Sequence, residues 1–225
     1  EILKSLSSFK KNLSLNLDAQ LLNIYNTLKD KDNSGARSLK NKLLQLLCLN
    51  DKHLLLAKEQ FEAAKNMTDQ IAALQALKTT NNPIFQDCLT SFYKKWGENS
   101  LVYMKYLSTV FTQEDLSVLE KIQKLTKDPH FQNWNPNHNY ASYGALTSNP
   151  KVFHDKSGLG YQILAKRILE IDQKNPYVAA RIATCFSDYK KLDTNRKSLL
   201  KSELEMMLTH KLSTNTYEII HNSLN

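Results

Sequence analysis

A chain of 225 residues that is 41% hydrophobic can bury a large apolar core, so the sequence reads as folded and not as disordered. Thirty Lys and Arg against 22 Asp and Glu leave a net charge of +8, yet the densest basic clusters, Lys10-Lys11, Lys94-Lys95 and Lys190-Lys191, are only pairs. A nucleic-acid footprint needs a stripe or an aromatic-basic platform, and a membrane span needs roughly 18 consecutive apolar residues; neither is present, nor is a basic leader with a small-residue cleavage site.

Taken in chain order, apolar residues recur at helical spacing over 13–28 (Leu17, Leu21, Leu22, Ile24, Tyr25), break over 30–35 and resume over 36–49. There Leu39, Leu43, Leu44, Leu46 and Leu47 make a stripe wide enough to pack on two sides. A start at Glu1 without a methionine suggests that something preceded it, and the sequence leaves open whether the first dozen residues are ordered without docking to that upstream part. A further helix is predicted over 53–64. Asn66-Met-Thr-Asp69 then sets an acid three residues after a polar cap, a capping box with Asp in place of Glu. Helices are predicted from Pro83 to Trp96, ended by Gly97-Glu-Asn99, and over 101–111, 115–125, 161–171, 176–186, 195–208 and 214–224.

Each of the five prolines, Pro83, Pro129, Pro136, Pro150 and Pro176, follows an Asn or Asp. The acidic or amide side chain can accept free N–H groups of a first turn, and the proline that follows lacks only a hydrogen that would have gone unbonded, so all five steps read as helix starts. No alternation persists long enough for a strand. Helices of about 10 to 15 residues joined by links of about 2 to 6 predict an all-α fold, an irregular α-solenoid or superhelical stack of antiparallel helix pairs, forming one domain over 1–225 with no fixed-length repeat. Cys48, Cys88 and Cys185, an odd number without Cys-x-x-Cys spacing, read as buried thiols of a reducing, cytoplasmic compartment.

Between Asp128 and Gly160 the helical pattern gives way to a stretch rich in Asn, Gly, Tyr and His, where function is to be sought. No two of the six histidines lie three or four apart, so no His-Glu-x-x-His zinc helix exists; a folded set of His130, His138, His154 and Asp155 is weighed against polar loop histidines, which is the preferred reading. In Ser157-Gly-Leu-Gly160 the glycines read as a tight entry into a helix, since no strand precedes them and no phosphate-binding lysine follows. Trp134 reads as a loop pin. His138 and Tyr140, beside Asn137 and Asn139, have polar tips that are costly to bury without partners. Arg181, one of few arginines and set in an apolar helix, needs either an internal carboxylate or a ligand for its planar fork.

The ordered pieces Ser38-Leu-Lys-Asn41, Ala64-Lys-Asn-Met-Thr-Asp-Gln-Ile-Ala-Ala-Leu74, Phe92-Tyr-Lys-Lys-Trp96, Asn135-Pro-Asn137, Phe153-His154-Asp155 with Gly158-x-Gly160-Tyr161, and Asn175-Pro176-x-Val-Ala-Ala-Arg181 resemble the C-terminal domain of bacterial aminopeptidase N, in the M1 family of zinc metallopeptidases. The resemblance runs over nearly the whole chain. It implies an all-helical domain that encloses the active-site cavity of an enzyme removing N-terminal residues from peptides, with zinc and its ligands in the upstream catalytic domain of the same polypeptide. The partners so implied are that domain and peptides, with no nucleic acid and no membrane. Alone, the chain is not expected to hydrolyse anything.

By the same resemblance, an Asn-Pro-Asn-Arg-x-Arg pattern and a further arginine face the family's cavity. Here His138 and Tyr140 stand at the first two arginine positions and Arg181 at the third, so the basic wall is expected to rest on Arg181 and nearby lysines, with any share from His138 pH-dependent. Asn66, Asp69, Asn135, Pro136, Asn137, Gly158, Gly160, Asn175 and Pro176 are expected to be structural. The competing reading is a free-standing helical-repeat scaffold for protein interaction.

Overall fold

A computed structural model describes residues 2–31, 33–78 and 82–225. Among the described residues every regular element is helical, and the chain divides into two compact units, Glu1–Trp96 and Gly97–Asn225.

The first unit contains α1 (Ile2–Asn16), α2 (Asp18–Leu28), α3 (Ser34–Leu47), α4 (Leu54–Ala63), α5 (Met67–Leu77) and α6 (Pro83–Trp96). Packing is mainly between near neighbours in sequence, α2 on α3, α3 on α5, α4 on α5 and α5 on α6, the arrangement of a solenoid. Of the wide leucine stripe of α3, Leu43, Leu44 and Leu47 are buried, the last two completely, each contributing about 1.5–3 kcal/mol of apolar burial, whereas Leu46 is half-buried and Leu39 is exposed, so the stripe is narrower than expected. Cys48 and Cys88 are buried thiols, pushed up to about 12 and about 11 chiefly by desolvation.

Two expectations for the start of the chain are corrected. The helix predicted over 13–28 is two helices that part at Leu17, whose backbone (φ −109°, ψ 13°) leaves the helical region. The first begins at Ile2, well before the predicted start. Its apolar residues Ile2, Leu3, Leu6, Phe9 and Leu13 recur on one face, yet all are exposed, Phe9 by 62%. The one buried residue of α1 is Ser14, whose hydroxyl donates to the Leu46 carbonyl at 2.8 Å.

In α5 the capping box forms the hub of a buried polar network. Asn66 Oδ1 accepts the Asp69 N–H at 2.9 Å, and Asn66 Nδ2 returns a bond to Asp69 Oδ2 at 3.2 Å. The same carboxylate accepts from Lys40 Nζ at 2.9 Å and Asn41 Nδ2 at 2.8 Å. Gln60 joins Asn41 Oδ1 to the Asp69 carbonyl, and Tyr25 Oη donates to Gln60 Oε1 at 3.0 Å. Three helices and the end of α2 are thereby tied by side chains with few unmet polar atoms.

The second unit contains α7 (Ser100–Phe111), α8 (Ser117–Lys124), α9 (Pro136–Asn139), α10 (Ala145–Thr147), α11 (Pro150–Phe153), α12 (Leu159–Asp172), α13 (Pro176–Ala183), α14 (Thr194–Leu208) and α15 (Thr214–Leu224). Its core lies along α12, where Tyr161, Leu164, Ala165 and Ile168 are fully buried against neighbours that include α13 and α14. The helix predicted over 176–186 stops at Ala183 and tightens into a 3₁₀ segment, Thr184–Lys191; there Cys185 is half-buried, unlike the other two cysteines.

Of the five Asn/Asp-Pro steps, Pro83, Pro136, Pro150 and Pro176 stand at the first position of a helix. Pro129 does not. It lies in a turn in which Asp128 Oδ1 accepts the His130 N–H at 2.9 Å, the alternative use of an Asp side chain beside a proline. The glycines of the 157–160 turn serve geometry: Gly158 has φ 72°, and a Cβ on Gly160 would sit 2.5 Å from the Phe153 carbonyl oxygen.

Candidate functional site

The segment between Asp128 and Gly160 is more helical than its composition suggested. Asn135 caps α9 by accepting the Asn137 N–H at 3.0 Å, with Pro136 next in the chain. The helix then widens into a π turn over Tyr140–Gly144 before α10. Ser142 Oγ donates back to the His138 carbonyl at 2.7 Å, a local bond that competes with the regular ladder. Such π turns rotate the following side chains out of the α register, and they are frequent at functional sites.

The segment is pinned from within by Arg167 of α12. Its Nε and Nη2 donate to Asn139 Oδ1 at 3.1 and 3.0 Å, and Nη1 pairs with Glu170 Oε2 at 3.0 Å. Nη2 also reaches the Asn133 carbonyl at 2.6 Å. The guanidinium lies within 6 Å of the ring centres of Phe131, Trp134 and Tyr143, distances at which cation–π attraction contributes. Trp134 is thus a loop pin, as expected. Arg167 itself was missed, although the criterion that singled out Arg181, a guanidinium among apolar residues of a helix, applies to it equally.

His138 is fully buried. The Gln132 backbone N–H donates to its Nδ1 at 3.1 Å, so Nδ1 is the acceptor and Nε2 carries the hydrogen, directed at Ser100 Oγ 2.8 Å away. Burial lowers the imidazole pKa, and the hydrogen bond with Ser100 opposes this only in part. The ring is therefore neutral and has no atom to offer solvent, which removes the expected pH-dependent share of His138 in a basic wall.

Tyr140 and Arg181, by contrast, are brought together. The π turn places the Tyr140 ring beneath α13, and Arg181 Cζ lies 4.9 Å from its centroid. Tyr140 Oη is buried without a hydrogen-bond partner. Arg181 is exposed, and among the described residues no carboxylate pairs with it. Asn175 starts α13 by accepting the Val178 N–H at 3.3 Å, followed by Pro176, which fixes the helix that carries the arginine. An unneutralised planar fork on a rigid aromatic base is suited to a carboxylate or carbonyl.

Among the described residues no three His, Cys, Asp or Glu side chains gather into a group that could hold a metal ion. The set of His130, His138, His154 and Asp155 does not assemble: both ring nitrogens of His138 are engaged, and His154 Nδ1 meets Tyr161 Oη at 2.8 Å. No helix among the described residues is long and apolar enough to cross a membrane.

These features define a helical-repeat domain with an exposed arginine held on an aromatic base. The chain belongs to the family described as "Domain of unknown function (DUF3458_C) ARM repeats", whose profile matches residues 1–225, and it corresponds to the C-terminal part of aminopeptidase-N-like proteins. Aminopeptidase N of Escherichia coli (strain K12) is 31% identical over 222 residues, covering 94% of this chain and 26% of the relative. Aminopeptidase N of Haemophilus influenzae is 32% identical over 190 residues, covering 84% of this chain and 22% of the relative. Among solved structures, Legionella pneumophila aminopeptidase A in complex with aspartic acid superposes with a TM-score of 0.89 at 25% identity, over 98% of this chain and 28% of that one. The chain thus spans about a quarter of the length of these relatives.

Proposed function

We propose that this chain is the C-terminal, cavity-enclosing domain of a zinc aminopeptidase that removes N-terminal residues from peptides. Its helices restrict which substrates reach the chamber, and Arg181 on Tyr140 contributes to the wall that meets the far end of a bound peptide. A covered chamber also excludes water and so strengthens the polar contacts inside it. The zinc and the groups that act on the scissile bond lie in the upstream catalytic domain, the partner within the same polypeptide, and no chemical step is assigned to residues of this chain.

The observation that carries this reading is the exposed Arg181 guanidinium without a carboxylate partner, its Cζ 4.9 Å over the Tyr140 ring. In the full-length enzyme, Arg181→Ala is expected to raise KM for a pentapeptide about 5- to 20-fold, the loss of a charge-assisted contact, with kcat within about twofold. A dipeptide presents no residues beyond the second to such a wall and should keep its kinetics. Identical behaviour of di- and pentapeptides before and after the substitution would refute the assignment.

The exposed apolar row of α1 supports the docking part of the proposal, and it also suits a free-standing interaction scaffold. A pull-down with the catalytic fragment separates the two readings, because an enclosing domain retains that fragment specifically.

A further inference from the structure

A guanidinium offers a ligand two faces and one edge. Arg181 Cζ lies over the Tyr140 ring, 4.9 Å from its centroid, while the guanidinium N–H groups have no hydrogen-bonding or ionic partner among the described residues. Tyr177 precedes Arg181 by four residues in α13, so the two side chains leave one face of the helix a turn apart. Tyr177 is 68% exposed, more than Tyr217 at 48%, while Tyr103, Tyr143 and Tyr161 of the same unit are buried. The Tyr140 ring lies under the guanidinium carbon. A large aromatic stands free beside it.

A carboxylate binds a guanidinium in its plane, through two parallel N–H···O bonds, whereas an aromatic or flat apolar group approaches perpendicular to that plane. The two demands do not compete, so one ligand residue carrying both groups can satisfy them together. We infer that Tyr177, Arg181 and Tyr140 form a selectivity subsite for the last residue of the bound peptide, taking its free α-carboxylate on the Arg181 edge and a large planar or apolar side chain against Tyr177. This rests on the reading of Arg181 as a wall residue, and it adds both the substrate class and Tyr177 as a residue that sets it. Nothing in the spacing of the sequence singled out Tyr177. Its exposure and its place one turn before a stacked arginine do.

The test uses the full-length enzyme and three pentapeptides of four alanines followed by Phe as the free acid, Gly as the free acid, or Phe as the amide. The wild-type enzyme should show its lowest KM for the Phe acid. Tyr177→Ala should raise that KM about 3- to 10-fold, as loss of an exposed aromatic contact does, and leave the Gly acid within about 1.5-fold, with kcat nearly constant. Tyr177→Phe should behave as wild type, since the ring and not the hydroxyl makes the contact. Tyr177 is exposed, so these changes leave the core untouched. If Tyr177→Ala shifts the Phe and Gly acids equally, or shifts neither, the subsite is overturned. Should Arg181→Ala still raise KM for acids over the amide in that case, the wall reading stands alone; should it discriminate no better, both fall together.

Discussion

Lys40 and Asp69, twenty-nine positions apart in sequence, meet at 2.9 Å with side chains only 8% and 9% exposed, and this pair joins two of the motif pieces that carry the family resemblance. Each charge is out of water, so each depends on the other and on the amides around it. Burial by itself raises the Asp69 carboxyl, but hydrogen bonds from Lys40, Asn41 and Asn66 outweigh it and hold the group below its ordinary value. Removing one partner with Lys40→Met should leave an uncompensated buried carboxylate and cost about 3–5 kcal/mol, whereas replacing both partners by apolar residues of similar volume should cost much less. Urea denaturation of the two variants measures the difference, and equal losses would show that the pair is not coupled.

The depressed Asp69 value also sets a direction in pH. The unfolded chain titrates this group near the ordinary carboxylate value of about 3.9, so the stabilisation is complete above that pH and is lost as pH falls through the lower folded value. Thermal melts of the wild type should therefore steepen in their pH dependence below about pH 4, and Asp69→Asn should flatten that part of the curve while lowering stability at pH 7. A variant curve parallel to the wild type from pH 5 to pH 2 would contradict this account.

His138 gives the opposite kind of group, a base kept neutral by burial. Its folded pKa lies below the ordinary value of about 6.5, so the unfolded state takes up a proton first as pH falls. Stability is full above about pH 6.5 and declines on acidification until the folded value is reached. The ring should be in the Nε2–H tautomer fixed by the Gln132 amide and Ser100 at pH 7, which ¹⁵N imidazole shifts detect directly. Protonation at or above pH 6.5 would be incompatible with this environment.

Asp172 ends α12 and starts α15. Its Oδ1 accepts from Ser213 Oγ at 2.5 Å and Thr216 Oγ1 at 2.6 Å, and its Oδ2 from the Ser213 N–H at 2.7 Å. A carboxylate at a helix N-terminus both satisfies free donors and opposes the helix dipole. Asp172→Ala should cost about 2–4 kcal/mol and raise hydrogen exchange through residues 214–224 before the rest of the second unit opens. Uniform exchange over that unit would mean that the contact does not fix α15 locally.

The parts of this architecture that were legible in the sequence are those where local pattern and tertiary environment agree. The stripe of α3, the Asn66 cap and the Pro83 and Pro176 starts each rest on residues whose neighbours in the chain already supply their reason. The stretch after Asp128 misled because Asn, Ser and Tyr are poor helix interior residues unless their polar groups are met. Here Arg167 meets Asn139 from 28 residues away, and Ser142 bonds the chain behind it, so long-range partners stabilise a helix that composition disfavours. Arg181 could be found by asking what a lone guanidinium needs; that Tyr140 would lie beneath it, and that His138 would turn inward, depended on the π turn and was not written in any spacing.

The face of α1 supplies the remaining prediction. Ile2, Leu6, Phe9 and Leu13 follow helical spacing and would ordinarily mark a buried side, yet each is exposed. An apolar row of this kind makes little contribution to the stability of the chain that bears it, so Phe9→Glu should change the melting of the isolated domain by no more than about 0.5 kcal/mol. In the full-length protein the same row should be covered, and the amides of residues 2–16 should exchange much more slowly than in the isolated domain. Phe9→Glu should then abolish most of that added protection, because a charge would have to enter an apolar contact. Equal exchange over residues 2–16 in the two settings would show that the row has no partner in the polypeptide and would shift the balance towards an external one.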